Sequence, residues 1–207
     1  MADGPGHIAF LQSLPAETRA ALSERRNRAG LVHLGGHGGA IACTAALIVA
    51  QVPGWWLLMP VQGVLLVFLF TLEHEATHKT PFASPALNEL AGHLCGLILI
   101  LPFGWFRYFH LAHHRWTNLP GRDPELAAPK PGTRAAWEWH ATGLPYWRSA
   151  LGTLWRLARG HADDAFLPDG ARARVVGEAR VMVLVYALGL ASLACSPLLL
   201  WLWLVPV

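Results

Sequence analysis

Apolar residues in this chain fall into long unbroken blocks instead of an alternating pattern. Residues 31–52 are apolar and small, residues 55–72 read Trp-Trp-Leu-Leu-Met-Pro-Val-Gln-Gly-Val-Leu-Leu-Val-Phe-Leu-Phe-Thr-Leu, and residues 181–207 carry no charge at all. The first two blocks are each long enough to cross a hydrocarbon core of ~30 Å at a helical rise of ~1.5 Å per residue. Only a few residues around Pro53-Gly54 separate them, which predicts a helical hairpin with a tight turn. The third block forms either one tilted span or a second hairpin that turns at Ser196-Pro197. A shorter apolar stretch, Leu90 to Phe103, would reach only about 21 Å as a helix, too short to span. It predicts a re-entrant or interfacial segment, ended by Pro102 and Gly104.

Between Arg122 and Arg180 the chain is polar but rich in tryptophan. Trp147, Leu151, Leu154, Trp155 and Ala158 follow a helical stripe flanked by Arg148, Arg156 and Arg159, the pattern of a helix lying in the headgroup plane. Trp137 and Trp139 suit an aromatic belt at the membrane boundary. Pro129-Lys130-Pro131-Gly132 and Pro168-Asp169-Gly170 read as loops.

Composition agrees: 54% of the 207 residues are hydrophobic and 14% are charged. The fold expected is an all-α integral membrane protein, with transmembrane hairpins, interfacial helices and a histidine-rich cap. Residues 1–30 hold charges and no apolar signal-peptide core, so uncleaved spans direct insertion. They form an N-terminal segment, and 31–207 the membrane domain. No Lys or Arg lies between Ala29 and His78, or after Arg180. The positive-inside rule therefore puts the N-terminal segment, Lys79 and the Arg107–Arg180 stretch on the cytoplasmic side. The net charge of +3 is juxtamembrane charge and carries no nucleic-acid footprint. Cys43, Cys95 and Cys195 lie far apart in apolar runs and read as small buried residues.

The candidate chemistry is concentrated in two histidine clusters. His74 and His78 stand at i and i+4, and His110, His113 and His114 at i, i+3 and i+4, so each set leaves one face of a helix. Imidazole ligands without cysteine suit iron, zinc or copper better than magnesium or calcium. Both clusters meet at one membrane face if Leu90–Phe103 dips in and returns. His74-Glu75-Ala-Thr-His78 also satisfies the zinc-protease pattern, with Glu75 as general base, but that leaves His110–His114 idle. A metal transporter would carry its ligands at mid-membrane. His33 and His37 read as interface residues beside a small-residue face of Gly35 and Gly39. His93 reads as a satisfied buried histidine, and Asn88 and Asn118 as possible partners of ligand imidazoles. His140 and His161 stand alone.

From His74 to Leu126 the sequence resembles the integral-membrane fatty acid desaturases and their hydroxylase relatives. The resemblance rests on the H-x3-H box, the short apolar excursion, Phe109-His110-Leu-Ala-His113-His114-Arg-Trp-Thr-Asn118, and Asp123-Pro124-Glu125. It implies a non-haem diiron centre at the cytoplasmic face that uses O2 and two external electrons on an unactivated C–H bond. By that resemblance His74, His78, His110, His113 and His114 are iron ligands, and Glu75 orients an imidazole. The substrate implied is a fatty acyl lipid or acyl thioester, and the electron donor is of ferredoxin or cytochrome type. Hydroxylation of an alkane, or a carotenoid reaction, would use similar boxes. The family pattern has a third H-x2-H-H cluster after two further spans, which this chain lacks. Five imidazoles cannot saturate two irons, so the chain is expected to be a fragment that stops before that box and does not turn over alone.

Overall fold

A computed structural model describes residues 7–128 and 130–207. Residues 1–6 of the N-terminal segment, and Pro129 of the first predicted loop, lie outside the described residues. Among the described residues every regular element is helical. Two short helices, α1 (His7–Ser13) and α2 (Ala16–Leu22), lead to α3 (Asn27–Val49). The hairpin turn lies where Pro53-Gly54 predicts it, with Gln51 at φ 50° and Gly54 at φ 79°. Glycine reaches that left-handed conformation without steric cost. The chain returns through a 3-10 turn into α4 (Leu58–Val67) and α5 (Leu69–Thr77). His37 Nε2 lies 2.7 Å from the Leu65 carbonyl and ties the hairpin together.

The chain then makes a bent pair, α6 (Pro85–Leu99) and α7 (Phe103–Trp116), whose axes meet at 99°. Ser84 caps α6, its hydroxyl accepting from Leu87 N, and Pro85 stands at the first helical position. The break lies at Ile100, at φ 57°, followed by Pro102. Gly104 does not end the apolar stretch as expected. It belongs to the first turn of α7, and its N–H donates to Glu178 Oε2 at 2.9 Å. The break is chemically sealed. The α6 carbonyls left without helical donors receive Tyr186 Oη–H at Leu97, and Trp203 Nε1–H at Ile98 at 2.8 Å. A broken helix is tolerated at membrane depth only when protein groups satisfy its backbone in this way. At 15 residues α6 is about 22 Å long, too short to span alone, and by length and composition the bent pair is either one broken span or a re-entrant loop.

Two helices, α8 (Arg134–Ala141) and α9 (Leu144–Ala158), follow and precede α10 (Asp169–Ser192). Leu154 and Leu157 of α9 pack on Ala171, Val175, Ala179 and Met182 of α10. Leu151 and Trp155 of the predicted stripe, with Trp137 and Trp139, stay exposed. That suits a helix along the membrane surface.

Among the described residues three helical stretches are long and apolar enough to cross a membrane: Ala16–Val49, Trp55–Thr77 and Asp169–Ser192. Large apolar side chains on their outer faces, such as Val61, Val64, Val181 and Leu188, remain uncovered by protein. A bilayer is the solvent that accepts such a surface.

Three expectations need correction. The last span begins at Asp169, twelve residues before the charge-free block, because its charges leave the Ala171–Val175–Ala179–Met182 stripe free to pack. It ends at Ser192, and the chain turns back through Leu193–Ser196 into a wide turn over Leu200–Leu204, which takes the hairpin alternative. Gly35 and Gly39 form no packing face, since a methyl group on either would meet open space. Of the cysteines only Cys95 is buried.

Candidate metal centre

The first cluster sits on the last turn of α5, with His78 as its C-terminal cap. The second occupies the last two turns of α7. Aromatic packing sets the two helices against each other below the imidazoles. Phe70 of α5 and Phe106 of α7 have ring centroids 5.5 Å apart, and Phe106 stacks on His110 at 5.4 Å. One ligand atom from each of His74, His78, His110 and His114 lies within 4.8 Å of the others. The bent pair of α6 and α7 therefore brings the chain back to the C-terminal end of α5.

His110 is the hub of this cluster and is 4% exposed. Its Nε2 lies 2.9 Å from both His78 Nε2 and His114 Nε2. As hydrogen bonds the arrangement is frustrated, because one nitrogen offers either one proton or one lone pair and cannot serve two partners fully. As lone pairs converging on a cation it is satisfied. Two nitrogens about 3 Å apart also match neighbouring ligands of one ion at a metal–nitrogen distance of ~2.1 Å. Burial pushes the His78 imidazole below its ordinary value, His114 and His74 add to this, and Glu75 opposes it. The favoured state is the neutral imidazole, which is the form that binds metal. This donor set fits a transition-metal ion.

His113 stands beside the cluster, its ring centroid 6.3 Å from that of His110. Its Nδ1–H donates to Asp123 Oδ1 at 2.9 Å. Asp123 is 4% exposed and accepts also from the backbone N–H of Asn118 at 2.8 Å and of Glu125 at 3.0 Å. Burial pushes this carboxyl upward, but the His113 bond and the two backbone N–H groups outweigh it and hold the carboxyl below its ordinary value. Glu75, expected to orient an imidazole, instead accepts from Thr80 Oγ1 at 2.5 Å and is exposed. The carboxylate bonded to a candidate ligand is Asp123. Sequence reasoning noted Asp123-Pro124-Glu125 as a motif but gave it no role. Its position ten residues after His113, in a capping pattern with Pro124 next, was the available signal.

The other polar candidates serve structure. Asn88 is 1% exposed, and its Nδ2 donates to the carbonyls of Phe82 at 2.8 Å and Ser84 at 2.9 Å, pinning the loop after His78. Asn118 contributes its backbone at φ 61°. His93 is satisfied but not buried: its Nδ1 bonds Glu178 Oε1 at 2.8 Å. His33, His140 and His161 are exposed and outside the cluster. The zinc-protease reading leaves His110 and His114 idle, yet both stand in the same cluster as His74 and His78.

Comparison with known proteins places the same residues in context. Residues 50–207 match the family model described as fatty acid desaturase. An sn-1 oleoyl-lipid 12-desaturase from Picosynechococcus sp. is 34% identical over 128 residues, 57% of this chain and 33% of that protein. In Arabidopsis thaliana, an endoplasmic-reticulum acyl-lipid omega-3 desaturase (cytochrome b5) is 30% identical over 96 residues, 40% of this chain and 25% of the relative. A chloroplastic temperature-sensitive sn-2 acyl-lipid omega-3 desaturase (ferredoxin) from the same plant is 36% identical over 64 residues, 29% and 15% of the two chains. The matched part thus spans a third or less of the length of these relatives. No solved structure matches the chain.

Proposed function

Because this chain belongs to the fatty acid desaturase family, we propose that its histidine cluster holds iron for the O2-dependent desaturation of a fatty acyl lipid or thioester. The single observation that carries this reading is the convergence of His78, His110 and His114 through Nε2 atoms 2.9 Å apart. Iron held by these residues would supply oxidising chemistry toward an unactivated C–H bond, with O2 as the oxidant and two electrons from a ferredoxin- or cytochrome-type donor.

The chain's own residues bind, orient and exclude water. His74, His78, His110 and His114 offer lone pairs from two helix ends, and Asp123 fixes His113 with its Nε2 free to join them. Asp123 takes the orienting role that sequence reasoning gave to Glu75. A second iron calls for donors beyond these five imidazoles. An apolar cavity of about 580 Å³, lined by Val67, Phe70, Leu99, Tyr146 and Trp147, suits an acyl chain. Phe70 connects it to the metal end, its ring centroid 6.1 Å from that of His74. The positive-inside pattern supports a cytoplasmic location of the cluster, with residues 1–30 on the same side and 31–207 as the membrane domain.

The test is metal analysis of the full chain purified anaerobically from membranes of iron- and zinc-supplied cells. Iron bound in stoichiometric amount, and lost on replacement of His110 by alanine, supports the reading. Zinc alone, retained by that variant, overturns it.

A further inference from the structure

Of the ten arginines from Arg107 to Arg180, four are matched to a carboxylate, and among the six others Arg115 and Arg122 stand apart by sharing one aromatic ring. Arg107, Arg134, Arg156 and Arg172 each pair with a carboxylate. Arg115, on the last turn of α7, and Arg122, in the loop beyond it, have no carboxylate partner among the described residues. Both guanidinium groups lie over the indole of Trp116, at 5.1 and 4.6 Å from its centroid. Two exposed like charges sharing one ring repel each other unless an anion joins them. The C-terminal end of a helix attracts one cation, which accounts for Arg115 but not for Arg122.

Both arginines open on a cavity of about 880 Å³. Its two carboxylates are already engaged. Asp123 is bonded to His113 and two backbone N–H groups, and Asp164 accepts from Trp105 Nε1 at 2.9 Å and Arg156 at 3.0 Å. The lining also includes the apolar side chains of Leu111, Leu126 and Phe166. The cavity therefore combines two uncompensated guanidinium groups with apolar side chains, at the polar end of a membrane-inserted helix pair.

We propose that this cavity binds the phosphate headgroup of an anionic lipid, with Arg115 and Arg122 on the phosphate oxygens and the apolar lining against the start of an acyl chain. The planar guanidinium fork matches phosphate in two-bond geometry, better than an ammonium does. The apolar lining selects a lipid over free phosphate, because inorganic phosphate would leave Leu111, Leu126 and Phe166 facing water. The cavity shares Asp123 with the loop that holds His113 but is lined by none of the histidines, and it needs no metal.

The test uses the full chain in a neutral detergent, titrated with phosphatidylglycerol, with diacylglycerol of the same acyl chains, or with inorganic phosphate, and read by native mass spectrometry. The chain is expected to bind phosphatidylglycerol at least tenfold more tightly than diacylglycerol. The Arg115→Gln/Arg122→Gln variant loses that preference, whereas Arg134→Gln keeps it. Both replaced side chains are exposed, so helicity by circular dichroism stays unchanged, and the single variants serve if it does not. Equal binding of the two lipids, or an unaltered preference in the double variant, overturns the proposal. Displacement of the lipid by an equal concentration of inorganic phosphate overturns the lipid assignment and leaves a simple anion site. Iron content in the same preparations reports separately on the metal reading.

Discussion

His113 donates its Nδ1–H to Asp123 at 2.9 Å, and Asp123 is in turn held by the backbone of its own loop. A histidine fixed in this tautomer presents Nε2 as a lone pair in one direction. Partners of this kind are typically worth ~10–100-fold in metal affinity. Asp123→Ala should therefore weaken iron binding by about that factor in a chelator competition. His161→Ala, remote from the cluster, should leave the competition curve where it was. Equal curves for wild type and Asp123→Ala would remove His113 from the metal's surroundings.

The same carboxylate sets a pH dependence. Its native pKa is depressed, so the loop stabilisation it provides is complete above the ordinary carboxylate value of ~3.9. It is lost as pH falls below that value through the native one. After correction for intrinsic exchange, the amides of Asn118 and Glu125 should stay protected from neutral pH down to about 4 and open in stronger acid. Opening already between pH 5 and 7 would show that the Asp123 carboxylate does not hold the loop.

At the break between α6 and α7, Tyr186 and Trp203 hydrogen-bond the carbonyls of Leu97 and Ile98. Tyr186→Phe keeps the ring and Trp203→Phe trims it, and each leaves one part-buried carbonyl without its donor. Each should destabilise the protein by about 1–3 kcal/mol in a denaturation assay in detergent. Because the break positions α7, iron occupancy should fall in parallel in the double variant.

Gly92 of α6 lies directly against the Phe103 ring at the start of α7, so any Cβ there would collide with the ring. Gly92→Val should cost about 1–3 kcal/mol by overpacking and widen the angle that brings the two histidine clusters together. Gly39→Ala meets open space and should stabilise α3 by about 0.4–1 kcal/mol. Thermal midpoints of the two variants moving in opposite directions would check both.

Much of this was legible from the chain alone. Block length predicts the α3–α5 hairpin, and the fourteen-residue limit on Leu90–Phe103 predicts that the two clusters meet at one end, as His74, His78, His110 and His114 do. The helical spacing of His74, His78, His110 and His114 gave the site itself. What stayed hidden depends on contacts between segments far apart in sequence. Glu178 reads as one more charge in a polar stretch, yet it meets His93 and the Gly104 N–H from 85 and 74 residues away. The start of α10 was missed for the same reason, since its buried stripe lies between charges that point elsewhere. Adjacency points to Glu75, whereas the fold of the loop after α7 decides which carboxylate reaches an imidazole, and that is Asp123.

The most direct check on the metal centre is X-ray absorption at the iron edge of the full chain, with and without His110→Ala. The arrangement predicts imidazole scattering from nitrogen ligands at ~2.1 Å that disappears in the variant. An oxygen-only shell, or a spectrum that the His110 substitution leaves unchanged, would contradict it.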